Sequence, residues 1–88
     1  MKHLTLLILL AGCSVVPEHA VPPPAEDTCN ASAHADLIGQ DAKALERRLI
    51  LGPVRLVRPG DMVTMDFRPE RINFEIGQDE IIASIRCG

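Results

Sequence analysis

Aromatic residues are nearly absent from this chain, which has two phenylalanines and no tryptophan or tyrosine. Proteins that bind single-stranded nucleic acid commonly stack the bases on aromatic side chains, and this sequence offers no such platform. Its formal net charge of −3 also leaves no basic face that could neutralise phosphates. We therefore predict no nucleic-acid partner.

Residues for catalysis, metal binding or cofactor binding are also few. No Cys-x-x-Cys spacing and no glycine-rich phosphate loop is present. His34 is the one histidine beyond the N-terminal third, and a lone histidine near a helix start is most often a surface residue. Ser84 has no histidine near it, and Asp66 and Glu70 lie in a unit of about 60 residues, too small for a water-excluding cleft. We predict no enzyme, no metal site and no cofactor.

The N-terminus has a short apolar run that follows Lys2 and ends in Leu10-Ala11-Gly12-Cys13. The run is too short to cross a bilayer as a helix, which takes about 20 residues. Its ending resembles the lipobox of bacterial lipoproteins. The resemblance implies a lipoprotein signal peptide at residues 1–12, lipidation of Cys13, and a place in the cell envelope with the lipid as the only membrane contact. Ser14 implies the outer membrane, facing the periplasm; a plain secretory peptide is the alternative.

Three cysteines leave one without a partner in an exported protein. If Cys13 takes the lipid, Cys29 and Cys87 remain, and an oxidising compartment favours a disulfide between them. Closing so long a loop would remove about 4 kcal/mol of unfolded-chain entropy. Such a constraint matters to a domain of about 60 residues, whose core is small. Two free buried thiols are the alternative.

The chain between Cys13 and Cys29 is rich in proline, including Pro22-Pro23-Pro24, and lacks periodicity. Proline-rich segments favour an extended geometry of about 3.1 Å per residue, which would hold a domain up to roughly 45 Å from the membrane. We interpret residues 13–28 as the lipidated cysteine and its tether, and residues 29–88 as the folded domain.

Apolar spacing predicts one helix and three strands in that domain. Four residues recur on one helical face: Ile38, Ala42, Leu45 and Leu49. Asp41 is a plausible N-cap, and Gly52-Pro53 ends the helix. The extended segments are Val54–Arg58, Arg71–Ile76 and Ile81–Ile85. One helix packed on a small sheet is the simplest architecture for these elements.

The stretch VTMDFRPER, residues 63–71, admits two interpretations. Strict alternation places Val63, Met65 and Phe67 on one face of a strand, which would make Met65 a core residue. Charges and Pro69 crowd its second half, however, and Pro59-Gly60 precedes it. These features favour a loop.

Four segments in order resemble the potato inhibitor I superfamily, most closely its disulfide-bearing bacterial and fungal branch of elastase-type inhibitors. They are Ile38-Gly39-Gln40, Arg58-Pro59-Gly60, residues 63–73, and Ile85-Arg86-Cys87-Gly88. The resemblance implies an α+β fold in which one helix packs on a small mixed sheet and presents an exposed protease-binding loop. It also implies a monomer whose partner is a serine endopeptidase.

In that family the loop enters the protease as a substrate would. Carried over, Met65 fills the primary specificity pocket, Thr64 precedes it, and the reactive bond is Met65–Asp66. An unbranched, apolar methionine suits hydrophobic pockets of the elastase, chymotrypsin or subtilisin type better than the trypsin-like pocket, which requires a cation.

The resemblance also implies residues that support the loop. Arg71 matches an arginine that braces the loop from behind; a solvated strand residue is the alternative. Asn73 stands where plant and leech members commonly have a second arginine, so this brace is weaker or differently wired. Arg68 matches a family arginine as well, and whether it braces the loop or faces the enzyme stays open.

Two functions are compatible with these residues. The favoured one is a standard-mechanism inhibitor of serine endopeptidases that is anchored to the envelope by lipid. The alternative is a non-inhibitory envelope lipoprotein that uses the same fold as a protein-interaction module.

Overall fold

The structure is a computed structural model that describes residues 19–88. Its regular elements are three short 3₁₀ helices, Pro24–Glu26, Ala31–Leu37 and Ala42–Arg47, and three strands, β1 (Val54–Val57), β2 (Ile72–Ile76) and β3 (Ile82–Cys87). No helix within these residues is long and apolar enough to cross a bilayer. The predicted signal peptide and Cys13 lie outside the described residues.

The three strands form one mixed sheet in the order β1-β2-β3. β1 runs parallel to β2, with Val54 opposite Ile72, and β2 runs antiparallel to β3, with Phe74 opposite Ile85. The β2–β3 connection is closed at Gly77, whose N–H donates to a backbone carbonyl across the turn at 2.9 Å. The three predicted strands are confirmed, each with bounds shifted by one or two residues.

The core lies on one face of the sheet. Alternation along β2 directs Ile72, Phe74 and Ile76 to that face, where all three are buried. Leu37 and Ala42 from the second and third 3₁₀ helices cover them. Because burying one large apolar side chain contributes about 1.5–3 kcal/mol, this small cluster supplies most of the apolar stabilisation.

The single predicted helix is wrong in its type and length, and wrong at one residue of its apolar face: Ile38, Ala42 and Leu45 pack on the core as predicted, whereas Leu49 does not. Asp41 does cap a helix, since its carboxylate accepts the Lys43 N–H at 2.9 Å. That helix is a 3₁₀ helix that ends at Arg47, and the chain is already extended at Arg48. Leu49, predicted on the buried face, is consequently 80% exposed. A 3₁₀ helix has three residues per turn and remains short, so a spacing based on 3.6 residues does not hold.

The predicted disulfide between Cys29 and Cys87 is confirmed. It joins Cys29, two residues before the second 3₁₀ helix, to the last residue of β3, with 5.4 Å between the two Cα atoms. The bond therefore fixes the end of the sheet to the helical layer, and Gly88 follows directly.

Residues 19–28, the last part of the predicted tether, lie against the sheet. The Ala20 carbonyl accepts the Ile85 N–H at 2.7 Å, and Ala20 is buried. Further along, the Asp27 carboxylate accepts the N–H of Ala31 at 2.5 Å. The Thr28 hydroxyl donates to the Pro69 carbonyl at 2.6 Å. This segment thus contacts both the open edge of β3 and the connection that precedes β2.

Candidate functional site

The connection between β1 and β2 is a long exposed loop because the two strands are parallel. A parallel pair cannot be joined by a tight hairpin, and the chain must return to the other end of the sheet over a dozen or so residues. We call residues 58–70 the crossover loop. Every residue in it is exposed. The topology therefore lifts this segment away from the core.

A β-turn closes each end of the crossover loop. At its start the Asp61 N–H donates to the Arg58 carbonyl at 3.0 Å, across Pro59-Gly60. Gly60 has φ +84, and proline followed by a glycine of positive φ defines a type II turn. At its end the Arg71 N–H donates at 2.9 Å to the carbonyl of the residue before Pro69. Both ends are therefore constrained before any contact at the centre of the loop.

Met65 lies at the exposed centre of this loop and is 96% accessible. The segment that contains it forms no strand. The interpretation of Met65 as a core residue of an alternating strand is therefore wrong, because the charges and turns on either side prevent sheet pairing. Other apolar side chains of the loop are exposed with it: Met62, Val63 and Phe67.

Arg71, predicted to brace the loop, links it to Gly88. Its Nη2 donates to the Asp66 carbonyl at 2.7 Å, and its Nη1 lies 3.5 Å from the Asp66 carboxylate. Its Nε donates to the Gly88 carbonyl at 2.7 Å. The side chain is only 11% exposed. One guanidinium thus connects the residue after Met65 to the end of the sheet.

Asn73, also predicted to support the loop, does so through another side chain. It is buried, and its Nδ2 donates to the Gly88 carbonyl at 2.9 Å. Its Oδ1 accepts from Arg55 Nε at 2.6 Å. The Arg55 guanidinium in turn donates from Nη1 to the Thr64 hydroxyl at 3.2 Å. Sequence reasoning missed Arg55; the signal available was its alternation with Val54 and Leu56, which directs it away from the core face.

Arg68, the remaining predicted site residue, lies apart from these contacts, and the two residues dismissed as catalytic candidates, Ser84 and His34, have ordinary partners. Arg68 is exposed, and within residues 19–88 its side chain makes no hydrogen bond or ion pair. Ser84 hydrogen-bonds to Glu75 on the sheet. His34 is half-buried, and its Nδ1 lies 3.4 Å from the Arg48 guanidinium. None of these contacts joins a nucleophile to a base.

Possible metal ligands come together at one place within the described part of the chain. Asp27, Cys29 and Cys87 have ligand atoms within 4.8 Å of one another. The two sulfur atoms are bonded to each other, so neither is a thiolate, which is the form that binds metals. This group is better described as the anchoring point of the disulfide.

The electrostatics of the loop favour an ionised Asp66. The hydrogen bond from the Thr64 side chain lowers the pKa of Asp66 the most. Partial desolvation opposes that effect, while the charges of Arg71 and Arg68 add to it, and the pKa remains below the usual aspartate range. The Asp66 carboxylate is therefore fully charged at neutral pH, where it accepts the hydrogen bond from Thr64 and attracts Arg71.

We expect acid to loosen the loop at Asp66. Because its pKa is lowered by folding, its contribution is present above the unfolded value of about 3.9 and is lost as the pH falls through the lower folded value. A titration of the Asp66 carboxyl by NMR should give a midpoint below that of an unstructured peptide. Amide exchange at Thr64 and Asp66 should accelerate over the same range.

Asp66→Asn is the matched control for this titration, since its amide does not ionise. In this variant, acid should not accelerate amide exchange at Thr64. A midpoint at or above the peptide value would contradict the expectation.

Comparison with known proteins gives fungal relatives that are named as inhibitors. The elastase inhibitor AFUEI of Aspergillus fumigatus is 34% identical over 88 residues, covering 96% of this chain and 94% of the relative. The elastase inhibitor AFLEI of Aspergillus flavus is 34% identical over 64 residues, covering 68% of this chain and 94% of the relative. The structure of AFUEI in crystal form II matches with a TM-score of 0.58 at 33% identity, over 72% of this chain and 98% of that chain.

The family model that matches this chain spans most of its described residues. It is the model of the peptidase inhibitor I78 family, and it matches residues 29–88. The relatives above are named as inhibitors rather than as enzymes, in agreement with the prediction that this chain is not an enzyme. The chain belongs to the peptidase inhibitor I78 family.

Proposed function

We propose that this protein is a standard-mechanism inhibitor of serine endopeptidases and that Met65–Asp66 is its reactive bond. One observation carries the proposal. Met65 is 96% exposed at the centre of the crossover loop, while the residue that follows it is held from behind by the partly buried Arg71. The elastase inhibitors among its relatives support the same assignment.

A held loop explains how such a protein would inhibit rather than be digested. A flexible loop loses conformational entropy when it binds, which weakens the complex, whereas a loop already in the bound conformation loses little. Arg71 donates to the Asp66 carbonyl, and its Nε is itself fixed on Gly88. If the protease cut the reactive bond, Asp66 would therefore stay in place. The new amine would remain beside the acyl group, and the bond could form again.

The side chain at the centre of the loop sets the class of target. Met65 is apolar, unbranched and flexible, which suits a deep hydrophobic pocket. A trypsin-like pocket presents a carboxylate that needs a cation, and Met65 supplies none. We expect targets of the elastase, chymotrypsin or subtilisin type.

The proposed cellular setting is the bacterial envelope. The N-terminal Leu10-Ala11-Gly12-Cys13 supports lipidation of Cys13, and Ser14 favours the outer membrane with the protein facing the periplasm. The protein would act there as a monomer, attached through lipid alone. A relation to the potato inhibitor I superfamily is part of this proposal, supported by the matching loop and its arginine.

A panel of proteases tests the proposal with the purified full chain in a mild detergent. Elastase, chymotrypsin and subtilisin should include a target with a dissociation constant near about 1 nM, typical of substrate-like inhibitor complexes. Trypsin, the matched control, should be inhibited at least about a hundredfold less. Mass spectrometry should find slow, partial cleavage at Met65–Asp66. No inhibition at micromolar concentration, or complete digestion at other bonds, would contradict the proposal.

A second function, a non-inhibitory interaction module of the envelope, has one observation in its favour. Leu49 and Leu51, which lie outside the crossover loop, are 80% and 86% exposed. The two leucines lie on either side of Ile50, and exposed apolar side chains that form one patch are typical of protein contact surfaces. Complete absence of inhibition across the panel by a folded protein would favour this function.

A further inference from the structure

We propose that Arg55 is a second positioning residue of the inhibitory loop, which holds the residue before the reactive bond, and that Asn73 orients it. This inference rests on the proposed function. Arg71 is bonded to Asp66, on one side of Met65, and Arg55 is bonded to Thr64, on the other side. The two arginines come from different segments of the sheet, one from β1 and one from the residue just before β2.

The register of the parallel strands brings Arg55 to this place. Arg55 lies opposite Asn73, so the two side chains project from the same face of the sheet. Asn73 Oδ1 accepts from Arg55 Nε at 2.6 Å, which fixes the guanidinium at its inner nitrogen. The outer Nη1 then extends to the Thr64 hydroxyl at 3.2 Å.

Asn73 has one orientation that satisfies all of its contacts. Its Nδ2 donates to the Gly88 carbonyl at 2.9 Å, so its Oδ1 must face Arg55. The residue is buried, at 6% exposure, and its amide cannot exchange these partners for water. A chain of hydrogen bonds therefore runs from Gly88 through Asn73 and Arg55 to Thr64.

The partners of Arg55 differ from those of the other well-placed arginines. Arg48, Arg58 and Arg86 each form an ion pair with a carboxylate. Within residues 19–88, Arg55 forms no ion pair, and its hydrogen bonds go to the neutral side chains of Asn73 and Thr64. The guanidinium of Arg55 therefore links the sheet to the loop through these two hydrogen bonds.

The loop depends on such bonds because little packs beneath it. An open groove of about 340 Å³ lies between the loop and the sheet, with Arg55, Asn73 and Thr64 along its wall. The Phe67 ring lies against Gly88, on the Asp66 side of the loop. On the other side, the Thr64 side chain is tied to the sheet by its hydrogen bond from Arg55. Losing Arg55 should free the acyl side of the reactive bond and leave the Asp66 side held.

The test compares Arg55→Ala with Arg86→Ala in the purified full chain, kept in a mild detergent. Arg86 lies on β3 opposite Asn73 and is bonded to Glu75 rather than to the loop. Three quantities are measured: amide exchange of residues 63–66 in the free protein, the inhibition constant, and the rate of cleavage at Met65–Asp66. Urea unfolding reports any general loss of stability.

Arg55→Ala should speed amide exchange at Thr64 and weaken inhibition by about ten- to a hundredfold, the usual effect of losing a charged hydrogen bond. Cleavage should accelerate in parallel, while Arg86→Ala changes each quantity less than about threefold. Arg55→Lys keeps the positive charge but lacks the planar guanidinium, whose separate nitrogens donate to Asn73 and to Thr64. It should restore inhibition and slow amide exchange only in part. In a Thr64→Val background, replacing Arg55 should add nothing further to exchange at residues 63–66.

Two outcomes would overturn the role of Arg55. One is equal behaviour of Arg55→Ala and Arg86→Ala in loop exchange. The other is an Arg55→Ala effect of undiminished size in the Thr64→Val background, which would indicate a general loss of structure. Amide exchange needs no protease, so it decides the inference even if the wild-type chain inhibits none of the proteases and the proposed function fails.

Discussion

Replacing Met65 by aspartate is expected to weaken inhibition by about a thousandfold and to leave the free energy of unfolding unchanged within about 0.5 kcal/mol. The fold should persist because Met65 is 96% exposed and leaves no cavity when it is changed. Inhibition should be lost because a carboxylate entering a hydrophobic pocket is desolvated without a partner. Titration of the protease against each variant gives the inhibition constants, and urea unfolding gives the stabilities.

Met62 provides the matched control for that prediction. It is also a methionine of the crossover loop, it is 97% exposed, and it lies three positions earlier. Met62→Asp should weaken inhibition by less than about tenfold, as residues at the edge of an interface usually do. Equal effects at Met62 and Met65 would show that charge anywhere on the loop is harmful, and retained inhibition in Met65→Asp would contradict Met65–Asp66 as the reactive bond.

The sheet could be predicted from the sequence because its signals are local. Ile72, Phe74 and Ile76 alternate along β2, and all three are buried as alternation requires. The exposed loop could be predicted as well, although alternation alone pointed the other way for Met65. Two signals correctly favoured the loop there: the prolines and charges, which oppose the backbone pairing that a strand needs, and the resemblance to a family in which these residues form an exposed loop.

The helical region could be predicted only in part. The cap at Asp41 is a local hydrogen bond to the next turn, and it appears as predicted. The position of Leu49 depends instead on where the helix stops, and the chain is already extended at Arg48. The Arg48 side chain is bonded there to Asp36, a tertiary contact that apolar spacing does not reveal.

The role of Arg55 could not be predicted from alternation alone, for a related reason. Its role depends on which residue of β2 lies opposite it, and the register of a parallel pair is set by the whole sheet. Asn73 departs from the two-arginine pattern of the resembled family, and its partner Arg55 lies on another strand, eighteen positions earlier. Alternation places Arg55 only on the face of the sheet away from the core, and Asn73, which acts on the loop through Arg55, has no sequence signature of that role.

Removing the disulfide by a double replacement, Cys29→Ala with Cys87→Ala, is expected to lower the free energy of unfolding by about 4 kcal/mol. The two cysteines are 58 positions apart, so the bond constrains most of the unfolded domain. The free energy of unfolding of a small domain is usually only about 5–15 kcal/mol, so this variant would lose a large fraction of it. Urea unfolding of the wild type and the variant measures the difference, and Cys13→Ala should match the wild type.

The same replacement should also convert part of the inhibitor into a substrate. Cys87 precedes Gly88, and the Gly88 carbonyl accepts both from Arg71 at 2.7 Å and from Asn73 at 2.9 Å. Without the disulfide, Gly88 loses its covalent anchor to the helical layer, and both supports of the loop lose a fixed acceptor. At low temperature and without denaturant, where the variant stays folded, cleavage at Met65–Asp66 should be at least about tenfold faster than in the wild type. A variant that is less stable but is cleaved at the wild-type rate would show that the disulfide supports the fold alone.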